Sequence, residues 1–121
     1  MGHKARVEIV LDCERPQRLA EFWREALDYR DYYADATLAV LVPKDGTGSP
    51  FLLQRVPEPK GGKNRMHIDI VVDDIEPEVH RLQARGAHRI DDGVQSFGGT
   101  RWVRMLDPEQ NEFCVSTGVE R

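Results

Sequence analysis

Two residues apart in a run that alternates apolar and polar side chains, His67 and Asp69 are the chain's clearest candidates for chemistry. In an extended strand they share one face with Val71, while Ile68, Ile70 and Val72 share the other. An imidazole beside a carboxylate can move a proton, hold a metal ion or form a charge-assisted pair. Arg6 and Glu8 stand in the same relation 61 residues earlier. Their chemistry differs, because a guanidinium stays protonated and offers only donors, so Arg6 can anchor an anion but cannot ligate a cation. Glu8 and Asp69 are able to pair with Arg6 and His67, and Glu8, Asp69 and His67 are the candidate acid–base residues. A polar network that only fixes strand register accounts for the same residues equally well.

Other candidates are fewer. On alternation Cys114 faces away from Phe113 and Val115, as a nucleophile if a neighbour lowers its pKa or otherwise as a small buried filler. Trp102 and Arg104 share one face of a late strand, an aromatic and cationic wall for a ligand or a subunit contact. Phe22 and Trp23 suggest a ligand box, but their helical spacing suits core packing better. Lys60, Lys63 and Arg65 make one locally basic loop, read as solvated rather than as an anion clamp. Gly61-Gly62 and Gly98-Gly99 lack the strand–turn–helix setting of a phosphate loop. Asp12, Asp73 and Asp74 sit where capping explains them.

The elements that must position these residues form a repeat. Residues 6–12 match residues 67–73 position for position, and Pro16 and Pro77 keep the same offset. In the first copy a strand over 6–12, with Val7, Ile9 and Leu11 on its core face, leads into a helix over 16–27. That helix carries one stripe of Leu19, Phe22, Trp23, Ala26 and Leu27, with Pro16 in its first turn. Strands follow near 30–33, over 36–43 and over 51–56, and residues 45–50 form the hairpin turn. In the second copy Asp74 caps a helix with a stripe of Ile75, Val79 and Leu82, stopped at Gly86. Strands follow over 88–94, 101–106 and 112–117. Each copy therefore reads β-α-β-β-β, and the Pro/Gly-rich stretch 57–63 separates them.

Composition sets bounds. The 121 residues suit a single domain, and 40% hydrophobic content can fill its core. A net charge of −4 argues against a nucleic-acid or anionic-membrane surface, and the longest apolar run, 38–42, cannot span a bilayer. No apolar core follows Lys4, so the expected setting is the cytoplasm, with Cys13 and Cys114 reduced.

Three phrases carry a family resemblance: Leu19-Ala20-Glu21-Phe22-Trp23, Lys63-Asn64-Arg65-Met66-His67-Ile68-Asp69, and Asp107-Pro108-Glu109-Gln110-Asn111-Glu112-Phe113. With two βαβββ units in this length, the chain resembles the vicinal oxygen chelate superfamily, also called the glyoxalase/bleomycin-resistance fold. The last phrase has Gln110 where such proteins usually have glycine. The resemblance implies an α+β fold: one glyoxalase-like domain over 1–121, from units 1–58 and 64–121, whose mixed sheet curves into a cup. It also implies four ligand positions, on the first and last strand of each unit, which fall on Arg6, Gln54, His67 and Cys114. Arg6 departs from the metal pattern, as does Cys114, where a carboxylate is usual.

That scaffold hosts lyases, isomerases, ring-cleaving dioxygenases and non-catalytic binders, so the resemblance leaves enzyme and binder both open. The expected function is small-molecule binding without a metal. The ligand would be anionic or aromatic, held by Arg6, Gln54, His67, Cys114, Trp102 and Arg104, because the fixed charge of Arg6 opposes a divalent cation. The alternative is a metal-dependent enzyme using His67, Gln54 and Cys114; a third reading closes the cup and leaves partner binding. A homodimer is expected, since open sheets leave edges to cover.

Overall fold

The computed structural model describes residues 7–64 and 66–118, in two compact units, Met1–Pro59 and Lys60–Arg121. Arg6 and Arg65 lie outside the described residues. Among the described residues, two helices and two mixed sheets, of four and five strands, make the fold α+β.

In the first unit the order is β1 (Ile9–Cys13), α1 (Pro16–Leu27), β2 (Tyr29–Ala34), β3 (Leu38–Pro43) and β4 (Phe51–Arg55). The sheet runs β1-β4-β3-β2, with β1 and β4 parallel and the other pairs antiparallel. Pro16 opens α1, where its missing N–H costs nothing. The helix buries Leu19, Ala20, Phe22, Trp23 and Ala26, and Trp23 stacks on Phe51 with ring centroids 5.2 Å apart. Phe22 and Trp23 are thus core and no ligand box. Between β2 and β3 the Asp35 carboxylate accepts the backbone N–H groups of Thr37 and Leu38, both at 2.8 Å, which closes the turn.

One core expectation fails here. Ile9 and Leu11 lie on the half-buried face, but Val7 is 68% exposed. The backbone bond from Ile9 N–H to Pro50 C=O, at 3.1 Å, comes only after Val7, which precedes the paired strand.

The second unit contains β5 (Ile68–Val71), α2 (Ile75–Gln83), β6 (His88–Arg89), β7 (Gln95–Phe97), β8 (Thr100–Leu106) and β9 (Glu112–Ser116). Its order is β5-β9-β8-β6, with β7 also on β8, and β5 and β9 run parallel. Val79 and Leu82 of α2 pack over a layer that includes Val103, Met105, Phe113 and Val115, all fully buried. Glu76 and Glu78 in the first turn and His80 and Arg81 in the last suit the helix dipole. At the β8–β9 turn the buried Asp107 carboxylate accepts the N–H of Glu109 at 2.8 Å and of Asn111 at 2.9 Å. That turn holds Gln110 at φ 69°.

Of the strand expected over 88–94 only 88–89 forms, as β6; a second fragment, β7, lies beyond that range over 95–97, and both pair with the same side of β8. The ladder still holds at Ile90, whose N–H donates to the Arg104 C=O at 2.9 Å, and residues 91–94 leave it where Asp91 turns inward. Its carboxylate takes the Arg104 backbone N–H at 2.9 Å, in place of a strand carbonyl.

Among the described residues no helix is long and apolar enough to cross a membrane.

Candidate functional site

The face of the second sheet opposite α2 carries the chemistry. Strand register sets Asp69 of β5, Cys114 of β9 and Arg104 of β8 side by side in one row. The next row holds Val71, Ser116 and Trp102. His67 immediately precedes β5, and its Nε2 lies 3.1 Å from Asp69 Oδ1. The ligating atoms of His67, Asp69 and Cys114 all lie within 4.8 Å of one another. Solvent reaches two of them, since His67 and Asp69 side chains are each 43% exposed. Cys114 forms the floor at 5% exposed.

Ion pairs ring this group. Asp91 accepts the Arg104 guanidinium through both oxygens, from Nη2 at 2.8 Å and from Nε at 3.0 and 3.2 Å. Glu112 accepts Lys63 Nζ at 2.6 and 2.8 Å. The Arg104 bonds hold the Asp91 carboxyl below its ordinary range. Burial pushes the Cys114 thiol up to about 11, helped by the carboxylates of Asp69, Glu112 and Asp91 and opposed by Arg104. At neutral pH the thiol therefore keeps its proton and is a poor nucleophile, which argues for floor or ligand over attacking group.

Imidazole, carboxylate and thiol are all divalent-metal ligands, and together they suit an ion of borderline softness. The two exposed side chains have room to adjust around an ion, and the thiol would lose its proton on ligation. The donor set therefore fits a metal in kind, and closing on one ion would need the exposed His67 and Asp69 side chains to move inward.

Among the sequence candidates, His67, Asp69, Cys114, Trp102 and Arg104 share this face, whereas Glu8 and Gln54 belong to the first unit. Glu8 is exposed and lies ahead of β1. Gln54 pairs with Asp12 and Leu38, four residues further along than Glu8, so its register does not match that of Cys114 beside Asp69. Asp91 and Glu112 were not foreseen. Glu112 follows Asn111 in an alternating strand on the Cys114 face, which was a signal available on parity; Asp91 gave none.

A model of the glyoxalase-like domain matches residues 8–116. The chain belongs to the glyoxalase-like family. No curated protein sequence matches this glyoxalase-like chain. Among solved structures it is similar to the fosfomycin resistance protein FosX of Listeria monocytogenes, in a complex with Mn(II) and sulfate. That pair shares 12% identity with a TM-score of 0.78, over 98% of this chain and 93% of FosX. It is also similar to a glyoxalase/bleomycin resistance protein/dioxygenase family enzyme of Burkholderia phytofirmans PsJN, at 15% identity and a TM-score of 0.73, covering 90% and 94% of the two chains. A glyoxalase-related enzyme of Fulvimarina pelagi matches at 13% identity and a TM-score of 0.68, covering 93% and 88%. At these identities the likeness is one of fold.

Proposed function

We propose that this glyoxalase-like protein binds a small polar or aromatic molecule on the face of the second sheet opposite α2, next to a divalent metal held by His67, Asp69 and Cys114. The observation that carries this is the grouping of three metal-type donors within 4.8 Å. The Mn(II) in FosX supports it at the level of the fold. Three protein ligands leave room for a water or a ligand oxygen, whose polarisation is the chemistry such an ion supplies. Around it, the part-exposed Arg104 is placed to share its guanidinium with an anionic group, and half-buried Trp102 offers an apolar surface in the next row.

The expectation of a metal-free site rested on Arg6, which lies outside the described residues. A specific observation still favours that second reading: His67 and Asp69 already satisfy each other across 3.1 Å. In that case Arg104 and His67 would hold an anionic ligand directly. Elemental analysis of protein purified without chelator, beside a thermal-shift screen of small carboxylates, phenols and phosphonates, separates the two. Stoichiometric metal lost in His67→Ala supports the first, and ligand shifts in chelator-treated protein support the second. The reading also takes the protein to be a cytoplasmic homodimer.

A further inference from the structure

We propose that the His67–Asp69–Cys114 set is complete within the second unit and selects a thiophilic ion of the zinc class over manganese or magnesium. This rests on the metal reading above. Two independent observations carry it. The first is donor identity: one nitrogen, one oxygen and one sulfur, with the sulfur as the buried floor at 5% exposed. A thiolate ligand favours zinc, cobalt or cadmium, whereas manganese and magnesium prefer oxygen.

The second is what the neighbouring carboxylates are doing. Among the described residues, Asp91 and Glu112 are the further carboxylates whose charge reaches Cys114 and that could turn this into a hard-ion site. Asp91 is committed to the Arg104 guanidinium and backbone, and Glu112 accepts Lys63 through both oxygens. Recruiting either would strand a cation and, for Asp91, open a strand edge. Asp69 therefore stays the one protein oxygen of the set, so an oxygen-preferring ion would gain little here over its own hydration shell, whereas a thiophilic ion gains the sulfur. An ion approaching from solvent meets His67 and Asp69 first and then the thiol. On binding, the sulfur–hydrogen bond is exchanged for a sulfur–metal bond and the proton leaves to water.

The test uses the full chain, stripped with chelator, titrated with Co(II), Zn(II) and Mn(II) and followed by absorption and calorimetry. Co(II) should give a thiolate-to-cobalt charge-transfer band in the near ultraviolet that is absent in Cys114→Ser. Zn(II) should displace Co(II) and bind at least about tenfold more tightly than Mn(II). His67→Ala, a part-exposed position whose loss leaves the core intact, should abolish both. Equal or tighter Mn(II) binding, or an unchanged Zn(II) affinity in Cys114→Ser, overturns the selectivity and leaves the metal reading standing. If the wild-type chain binds none of the three ions, the metal reading falls and the inference with it.

Discussion

Asp91 replaces a piece of β-sheet with a side chain: its carboxylate takes the backbone N–H of Arg104 at 2.9 Å and the guanidinium of the same residue at 2.8 Å. One carboxylate thus ends a strand pairing and fixes a cation beside the candidate site. Asp91→Ala leaves the Arg104 N–H without its partner, and the expected loss of stability is about 1–3 kcal/mol by denaturant titration.

The same pair has a pH signature. Arg104 holds the folded Asp91 carboxyl below its ordinary range, so the unfolded chain takes up that proton more readily than the folded one. Its contribution is full above about pH 4, the unfolded value, and is lost as pH falls through the depressed folded value. Thermal scans between neutral and acid pH should show a steeper fall for the native chain than for Asp91→Asn. Parallel curves would remove Asp91 from the acid response.

Cys114 gives the opposite sign. Its thiol ionises near 11 in the folded protein, well above the ordinary value. Stability from this group is present at neutral pH and is lost as pH rises above about 8.5, where the unfolded thiol ionises. In a Cys13→Ser background, alkylation of Cys114 at pH 8 should be slow when folded and fast in denaturant. Rapid labelling of the folded chain would show the thiolate to be accessible.

Gln110 occupies a backbone conformation, φ 69°, that glycine adopts without steric cost. Gln110→Gly should raise stability by up to about 1 kcal/mol, while Gln110→Val should lower it. Melting temperatures of the two variants check this, and an ordering of valine above glycine would refute it.

Trp23 is 1% exposed, and it stacks on Phe51. Trp23→Ala should cost about 3–5 kcal/mol, the range for large aromatic deletions in a core. A loss below about 1 kcal/mol would mean that the first unit's core lies elsewhere.

What the sequence made legible follows from periodicity. The stripe from Leu19 to Ala26 gives α1 its bounds, and the alternation around Ile70 sets His67 and Asp69 on the exposed side. Periodicity says nothing about register. β4 and β9 keep the 61-residue offset, 51–55 against 112–116, yet β1 meets β4 as Ile9 beside Phe51 while β5 meets β9 as Ile68 beside Phe113, so Gln54 lies further along its strand pair than Cys114 does. Nor does it reveal a side chain that substitutes for a strand carbonyl, which is why the break at Asp91 was hidden. The Lys63–Glu112 pair, far apart in sequence, depends on the folded path of β9.

The broken strand on β8 also shapes what the protein avoids. A full-length edge is a template on which other chains can stack and aggregate. Here two short fragments, of two and three residues, cover that side of β8, with Asp91 turned inward between them. A foreign strand finds no continuous row of free backbone groups to extend. The residue that fixes Arg104 thereby also interrupts the edge along which a foreign strand would pair.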